Sequence, residues 1–499
     1  MTARRKGGRT MMSGKQEQHD RMKQMIDASQ EAMCGALKRL VRIRSVEGAP
    51  EPGKPYGEGP AACLEEALRI ASELGFSTYN MDGQCGYAEM GEGDGMVAVL
   101  GHLDVVPEAD GWIHPAYDPV MRDGRMYGRG TIDDKGPVVS ALYAMKAVRD
   151  AGIPLTRRVR LIFGCNEETG AADMKYYLAH GGEIPEAGFT PDGEYPLING
   201  EKGIINEVYE KPLRGAGGEV RLLSLRGGVA GNVVPDHAEA LIEIPGDLEL
   251  PEAEKITVRE ILPEDGTRSE LTGDRRTVRV EAAGRSAHGS TPEKGENAIG
   301  RLFRYLDRLP FGGDAGEAIH FLAEKPGMET GGQAFGCSLE DSVSGRFTFN
   351  LGVAEGGRDH IRVRLNYRYP VTFTEQDCGP AVRRTFENAG FHCTYSLHKP
   401  KLYVPESAPL VRTLLAVYRE ATGDLSAPKS IGGGTYAKAI PNIVAFGPIF
   451  PGDPVVEHLP DEYIRLDRLV QNTEIYAAAI AALAAAPAKR ADDREDNDR

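Results

Sequence analysis

The chain has 499 residues, 41% of them hydrophobic and 27% charged, and a formal net charge of −15. That balance is globular, and the length exceeds what one hydrophobic core serves, so two or more domains are expected. The acidity argues against nucleic acid or an anionic membrane surface as partner, and no run of about 18 apolar residues offers a membrane span.

Residues 1–28 open with MTARRKGGRTMMSGKQEQHD, which lacks the apolar segment of a secretory signal, and are expected to form a disordered extension. From about Met22 to Leu74 the pattern looks helical, interrupted by the loop GAPEPGKPYGEG, and within the catalytic segment 29–200 short strands then alternate with helices. MVAVLGHLDVV is predicted to be a buried strand running into a loop, PVVSALYAMKAVRDAG a helix with Pro137 in its first turn and Gly152 as its stop, and RVRLIFGCNEE a strand followed by a polar loop. Such alternation predicts an α/β catalytic domain with a mainly parallel sheet flanked by helices. Residues 201–401 change texture. EVRLLSLRGG, HAEALIEI, RTVRVEAAG, GRFTFNLGVAEGG and HIRVRLNYRYPV alternate apolar and polar residues, with helical pieces between them, which predicts an inserted α+β lid domain. The α/β texture returns over residues 402–485, and 486–499 is a charged tail expected to be disordered. The seven cysteines are scattered and form no CxxC pair, as expected of reduced thiols in a cytoplasmic protein. Cys165 has no evident base partner and is not taken as a nucleophile.

In open α/β sheets the reactive groups gather beyond the carboxyl ends of the strands. His102 and Asp104 follow the first strand at a spacing that turns both to one side, so Asp104 can accept the His102 ring N–H and fix its tautomer. Asp133 and Asp134 precede a helix, Glu167 and Glu168 follow a strand, and Asp192 lies in a turn-like segment. Taken singly, each has an ordinary structural explanation, such as a helix cap or a turn. Adjacent buried glutamates repel one another, however, and a set of carboxylates with histidines at strand ends is what divalent metal needs. With His458 from VVEHLPDEYI the ligands suffice for two ions. His102, Asp133 and Asp192 can hold one, and Glu168 and His458 the other, with Asp133 bridging. Glu167 is left over and can act as general base toward a bridging water.

GHLDVVP, YGRGTIDDKG, NEETG, TPDGEYP and EHLPDEY resemble, in this order, the di-zinc metallopeptidase family of aminoacylases, glutamate carboxypeptidases and dipeptidases. GNVVPDHAEA, GRSAHGSTPEKGENAI, LNYRYPV and IGGGTYAKAIPN are closest to its bacterial Xaa-His dipeptidases of the PepV type. The resemblance implies that the first Asp of DDKG bridges the metals, hence Asp133 and not Asp134, and that a cis peptide follows it. It implies that Asn232 and His288 reach over the metals, with His288 donating to the oxyanion. It further implies that Arg368 takes the substrate carboxylate and that Gly433, Gly434 and Thr435 approach the peptide closely. Lys438 stands where arginine is expected, which loses a planar fork. The resemblance implies a monomeric dipeptidase acting on free dipeptides with two divalent ions, zinc first, with manganese and cobalt able to use the same ligands. An N-acyl-amino-acid deacylase or desuccinylase with the same chemistry, and a catalytically inactive peptide-binding protein, are the alternatives.

Overall fold

The computed structural model describes residues 17–214, 217–261 and 275–485. They form two compact units. One comprises residues up to Asn199 with Val404–Lys429 and the segment from Gly434 onward, and the other Gly200–Tyr403 with Ser430–Gly433. Among the described residues no helix is long and apolar enough to cross a membrane.

In the first unit the strands run in the order Ser77–Met81, Cys85–Met90, Arg158–Gly164, Met96–His102, Ala187–Thr190, Ile443–Ala445. The last four are mutually parallel, and the first two add an antiparallel margin. Met96–His102 is buried at every position, as its unbroken apolar run requires of a central strand covered on both faces. The helices are α1 (17–28), α2 (Gln30–Val41), α3 (Glu58–Glu73), α4 (Lys135–Asp150), α5 (Ala172–Ala179), α9 (Pro409–Thr422) and α10 (Leu466–Ala484). Of these, α4 packs on α10, α2 and the central strand. Pro137 lies in the first turn of α4, where an N–H would have no helical acceptor. Lys135 is fully buried, and its ammonium donates to the Leu40 and Ile43 carbonyls at 3.1 and 2.9 Å, closing the C-terminus of α2.

The register places the polar residues. His102 pairs with Gly164 and Thr190 with Ala445, so the parallel strands stop at a common level. His102, the Glu167–Glu168 loop and Asp192 all leave the sheet from that carboxyl edge. A small antiparallel sheet of Val120–Arg122, Arg125–Tyr127 and Tyr463–Arg465 ties the chain before Asp133 to the chain after His458.

The second unit is built on an eight-stranded antiparallel sheet. Its order is Ile256–Ile261, Arg275–Ala283, His237–Pro245, Arg221–Gly227, Thr348–Gly357, His360–Tyr369, Gly203–Pro212, His392–Lys399. Helices α6 (Ala298–Leu306), α7 (Gly313–Glu324) and α8 (Gly379–Asn388) share its core with Tyr209, Val280, Phe349, Leu365 and Tyr367.

The expected N-terminal disorder needs correction. Residues 17–28 are helical, and Met22 and Ile26 of α1 are buried in the first unit's core while Lys23 pairs with Glu474 at 2.8 Å. Two apolar residues one helical turn apart, in a segment otherwise polar, suffice to dock it. Residues 1–16 and the expected tail at 486–499 lie outside the described residues. Ser430–Gly433 also departs from expectation, grouping with the second unit and not with 402–485. Ile26→Ala is expected to lower the unfolding free energy by about 2 kcal/mol or more, measured by urea denaturation.

Candidate active site

His102 ends the central strand, 1% exposed, with its Nε2 2.9 Å from Asp133 Oδ1. The other Asp133 oxygen, Oδ2, lies 2.9 Å from His458 Nε2, and His458 Nε2 is 3.2 Å from Glu168 Oε1. One carboxylate thus faces a different histidine with each oxygen. The groups His102–Asp133–Glu168 and His102–Glu167–Asp192 each bring three ligand atoms within 4.8 Å of one another. Two ligands of one tetrahedral zinc, each about 2.0–2.1 Å from the ion, stand roughly 3.3 Å apart, so these N···O spacings suit atoms that share a divalent ion.

The local fold explains how a dense set of carboxylates is held there. The Asp133–Asp134 peptide is cis. Asp134 occupies the N-cap position of α4 without capping it, and its Oδ2 accepts the His102 main-chain N–H at 3.0 Å instead. Burial, with Asp192 and Asp133 nearby, holds the Asp134 carboxyl well above the carboxylate range. Glu462 is fully buried. Its Oε1 accepts the N–H groups of Ile132 and Asp133 at 3.0 and 3.3 Å, and its Oε2 accepts from Arg129 at 2.7 Å. Burial and then Asp133 push Glu462 up to about 7. His458 is reached through the same segment and sits at φ 62°, in the left-handed region that non-glycine residues seldom adopt.

The charges are strongly coupled. Burial opposes ionisation of Asp133, but hydrogen bonds from His102 and His458 outweigh it and hold Asp133 below the usual range. The Asp133 and Glu168 carboxylates raise His458 to about 11. Burial, then the Asp192 charge, drives Glu167 well above the ordinary glutamate value. A centre with this excess of carboxylate over histidine favours a bound cation.

One expected contact differs. His102 Nδ1 lies 3.0 Å from the main-chain oxygen of Asp104 and 3.5 Å from its Oδ1. The backbone carbonyl is therefore the nearer orienting acceptor, and the Asp104 Oδ2 instead receives the N–H of Glu168 at 3.0 Å. Asp104 still links the two ligand loops.

The remaining predicted residues belong mainly to the second unit. Asn232 and His288 lie on two paired loops, with Val233 bridged to His288 and the Asn232 carbonyl accepting from Gly289 at 2.7 Å. His288 Nδ1 is 2.6 Å from Ser290 Oγ, and burial, then Arg368, lowers the imidazole. Arg368 is 3% exposed and forms no ion pair among the described residues. Its Nε donates to Asn366 Oδ1 at 3.1 Å and its Nη1 to the Gly432 carbonyl at 2.6 Å, and burial lowers the guanidinium to about 10. Gly432 packs against Ser290, and a Cβ there would approach Ser290 Cβ to 2.7 Å. Gly433 keeps open space on its Cβ side beyond Ile431. Gly434 and Thr435 belong to the first unit, where the Lys438 side chain lies beside Gly434. Sequence reasoning passed over Glu462, Arg129, Asp173 and Tyr436. Glu462 stood within the EHLPDEY motif, but its partner Arg129 is 333 residues away.

Candidate ligands thus gather on loops at the carboxyl edge of a parallel sheet, in a chain with a second α+β unit. Residues 98–482 match the model of peptidase family M20/M25/M40, and the chain belongs to that family. It is 38% identical to YtjP of Bacillus subtilis (strain 168), provisionally named a dipeptidase, over 90% of this chain and 96% of the relative. It is 32% identical to the Beta-Ala-Xaa dipeptidase of Lactobacillus delbrueckii subsp. lactis, over 92% and 97%. The di-peptidase Dug1p of Saccharomyces cerevisiae shares the fold, with a TM-score of 0.53, 14% identity, and coverage of 94% of this chain and 99% of that one. The chain is a peptide-bond hydrolase.

Burial raises Asp173, which holds the Glu167–Glu168 loop, to about 6. The folded state thus binds this proton more tightly than the unfolded chain. Its contribution to stability is complete below about pH 4 and is lost as pH rises through 6. Asp173→Asn cannot ionise, so its stability relative to wild type is expected to rise by up to about 3 kcal/mol between pH 4 and 8, read from urea unfolding at both pH values.

Proposed function

We propose that the chain is a di-metal dipeptidase that hydrolyses free dipeptides. The observation that carries this reading is Asp133, whose two oxygens each face a separate histidine at 2.9 Å, the arrangement a bridging carboxylate needs. His102, Asp133 and Asp192 would hold one ion, and Asp133, Glu168 and His458 the other. Zinc suits this nitrogen and oxygen set, and manganese or cobalt can use it. When bound, the ions supply Lewis-acid polarisation of the scissile carbonyl and lower the pKa of water.

The chain's own residues supply the rest. Glu167 takes the proton of the attacking water and returns it to the leaving amine, one carboxylate serving as base and then acid. His288 donates a hydrogen bond to the carbonyl oxygen as it gains negative charge. Arg368, buried with a carbonyl and an amide oxygen as acceptors and no carboxylate, has a guanidinium charge available for a carboxylate of the substrate. Asn232, Gly433, Gly434 and Thr435 line the peptide. The naming of the Lactobacillus relative as a dipeptidase supports a short substrate.

The test is a panel of free, N-acetylated and C-amidated dipeptides given to metal-stripped protein, before and after zinc or manganese is restored. Cleavage of free dipeptides alone, and only with metal, is expected; cleavage of N-acyl amino acids instead would move the assignment to a deacylase. Glu167→Gln is expected to lower kcat by about 10²–10⁴-fold while metal content by elemental analysis stays at the wild-type value. Arg368→Ala is expected to raise KM for free dipeptides and to abolish the preference for them over C-amidated ones.

A further inference from the structure

Asp173 and Tyr436 are buried, 0% and 1% exposed, and neither belongs to the ligand set. Asp173 lies in the first turn of α5, directly after the loop GCNEETG. Its Oδ2 accepts the main-chain N–H groups of Cys165 at 2.7 Å and Asn166 at 3.0 Å, and its Oδ1 accepts that of Met174 at 2.7 Å. One carboxylate therefore grips the chain just before Glu167 and again after the loop has closed. Asn166 completes the closure, its Oδ1 accepting from Ala172 at 3.0 Å.

Asp173 Oδ2, the oxygen that holds Cys165 and Asn166, also accepts the Tyr436 hydroxyl. The Tyr436 ring stands edge-on to the His102 imidazole, with centroids 6.1 Å apart and planes at 87°. Its hydroxyl fills the space beside Gly164, where a Cβ would collide with it. Tyr436 also opens the short 3-10 turn Tyr436–Lys438, whose first turn is capped by Thr435 accepting from Ala437 at 3.2 Å. Tyr436 thus touches the His102 ligand, the strand end before Glu167, and the staple that closes the glutamate loop.

We propose that the Tyr436–Asp173 pair is a positioning joint that holds the Glu167–Glu168 loop in register with His102 and ties that register to the Thr435 turn. The inference rests on the assignment of Glu167 and Glu168 to the metal centre. A carboxylate buried with several donors makes strong hydrogen bonds, and a misplacement of about 1 Å at a reacting group can cost about 10²-fold in rate. Neither residue touches the reacting atoms in this scheme; both act through the loop.

The experiment uses the full-length chain as wild type, Tyr436→Phe, Asp173→Asn and the double variant. Backbone hydrogen exchange is followed in the metal-free protein, and steady-state kinetics on a free dipeptide in the zinc-loaded protein. In Tyr436→Phe, which keeps the ring against His102 and deletes the hydroxyl, exchange over residues 165–171 is expected to accelerate about tenfold or more, with strands 96–102 and 158–164 unchanged. Its kcat is expected to fall about 10- to 100-fold with KM within about threefold. The double variant is expected to be less impaired than two independent losses would make it, because both changes break one bond. Exchange and kcat within twofold of wild type, additive losses in the double variant, or a kcat loss that only follows the folded fraction would each overturn the joint. Should Tyr436→Phe fail to fold, Asp173→Asn decides by the same two readouts. A wild-type chain inactive on every peptide would count against the dipeptidase reading and not against the joint, since the exchange arm needs no substrate.

Discussion

Repulsion among like charges at short range governs the first unit. Asp104, Asp133, Asp134, Glu167, Glu168 and Asp192 converge where the central strands end, and two histidines do not balance them. Burying unpaired carboxylates costs several kcal/mol each, so the fold tolerates this cluster only by spreading its charge. Two routes are visible. Burial raises the proton affinity of some groups, Asp134 and Glu167 among them, and others face a histidine, as Asp133 does twice. A divalent cation would satisfy the remainder, and this makes metal affinity and local stability one property.

Around that cluster stands a ring of residues whose task is geometry. Glu462 holds the N–H groups on either side of the Ile132–Asp133 bond while pairing with Arg129. Asp134 gives up its capping role to hold the His102 backbone. Asp173 closes the glutamate loop. Each is buried and each binds main-chain N–H groups, so the side chains of the cluster are held by fixing the backbone beneath them.

The fold class and the separate ligand candidates were legible because each is marked by residues adjacent in the sequence. Continuous apolar runs such as VAVL mark strands covered on both faces, and polar residues immediately after them mark the sheet edge. The strand His392–Lys399 gave no such signal, being exposed along its whole length, so no burial period is written into it. Gly203–Pro212 alternates, but its buried face includes Glu207 and Lys211, and the pattern is hidden from a hydropathy reading. Helix α1 was legible only in part: a helical pattern is readable from about Met22, but the polar residues around Met22 and Ile26 hide its start and its docking. The supporting ring was illegible for a different reason. Glu462 and Arg129, or Asp173 and Tyr436, are partners only after folding, and a single buried carboxylate has the same appearance in sequence as a surface one.

The first unit is assembled from separated stretches of chain, with His458 placed 290 residues after Glu168. At about 5–20 residues per second a ribosome needs some 15–60 s to cover that interval. For most of it, from Thr190 until Ile443–Ala445 is made, the strand Ala187–Thr190 lacks that parallel neighbour, leaving an open sheet edge of the kind that recruits other chains. The intervening unit has its own core and can fold meanwhile. The nascent first unit instead waits as an incomplete sheet with a crowded acidic rim. Its repulsion would disfavour premature association until the last segment arrives, so the same acidic cluster would guard the protein during its synthesis.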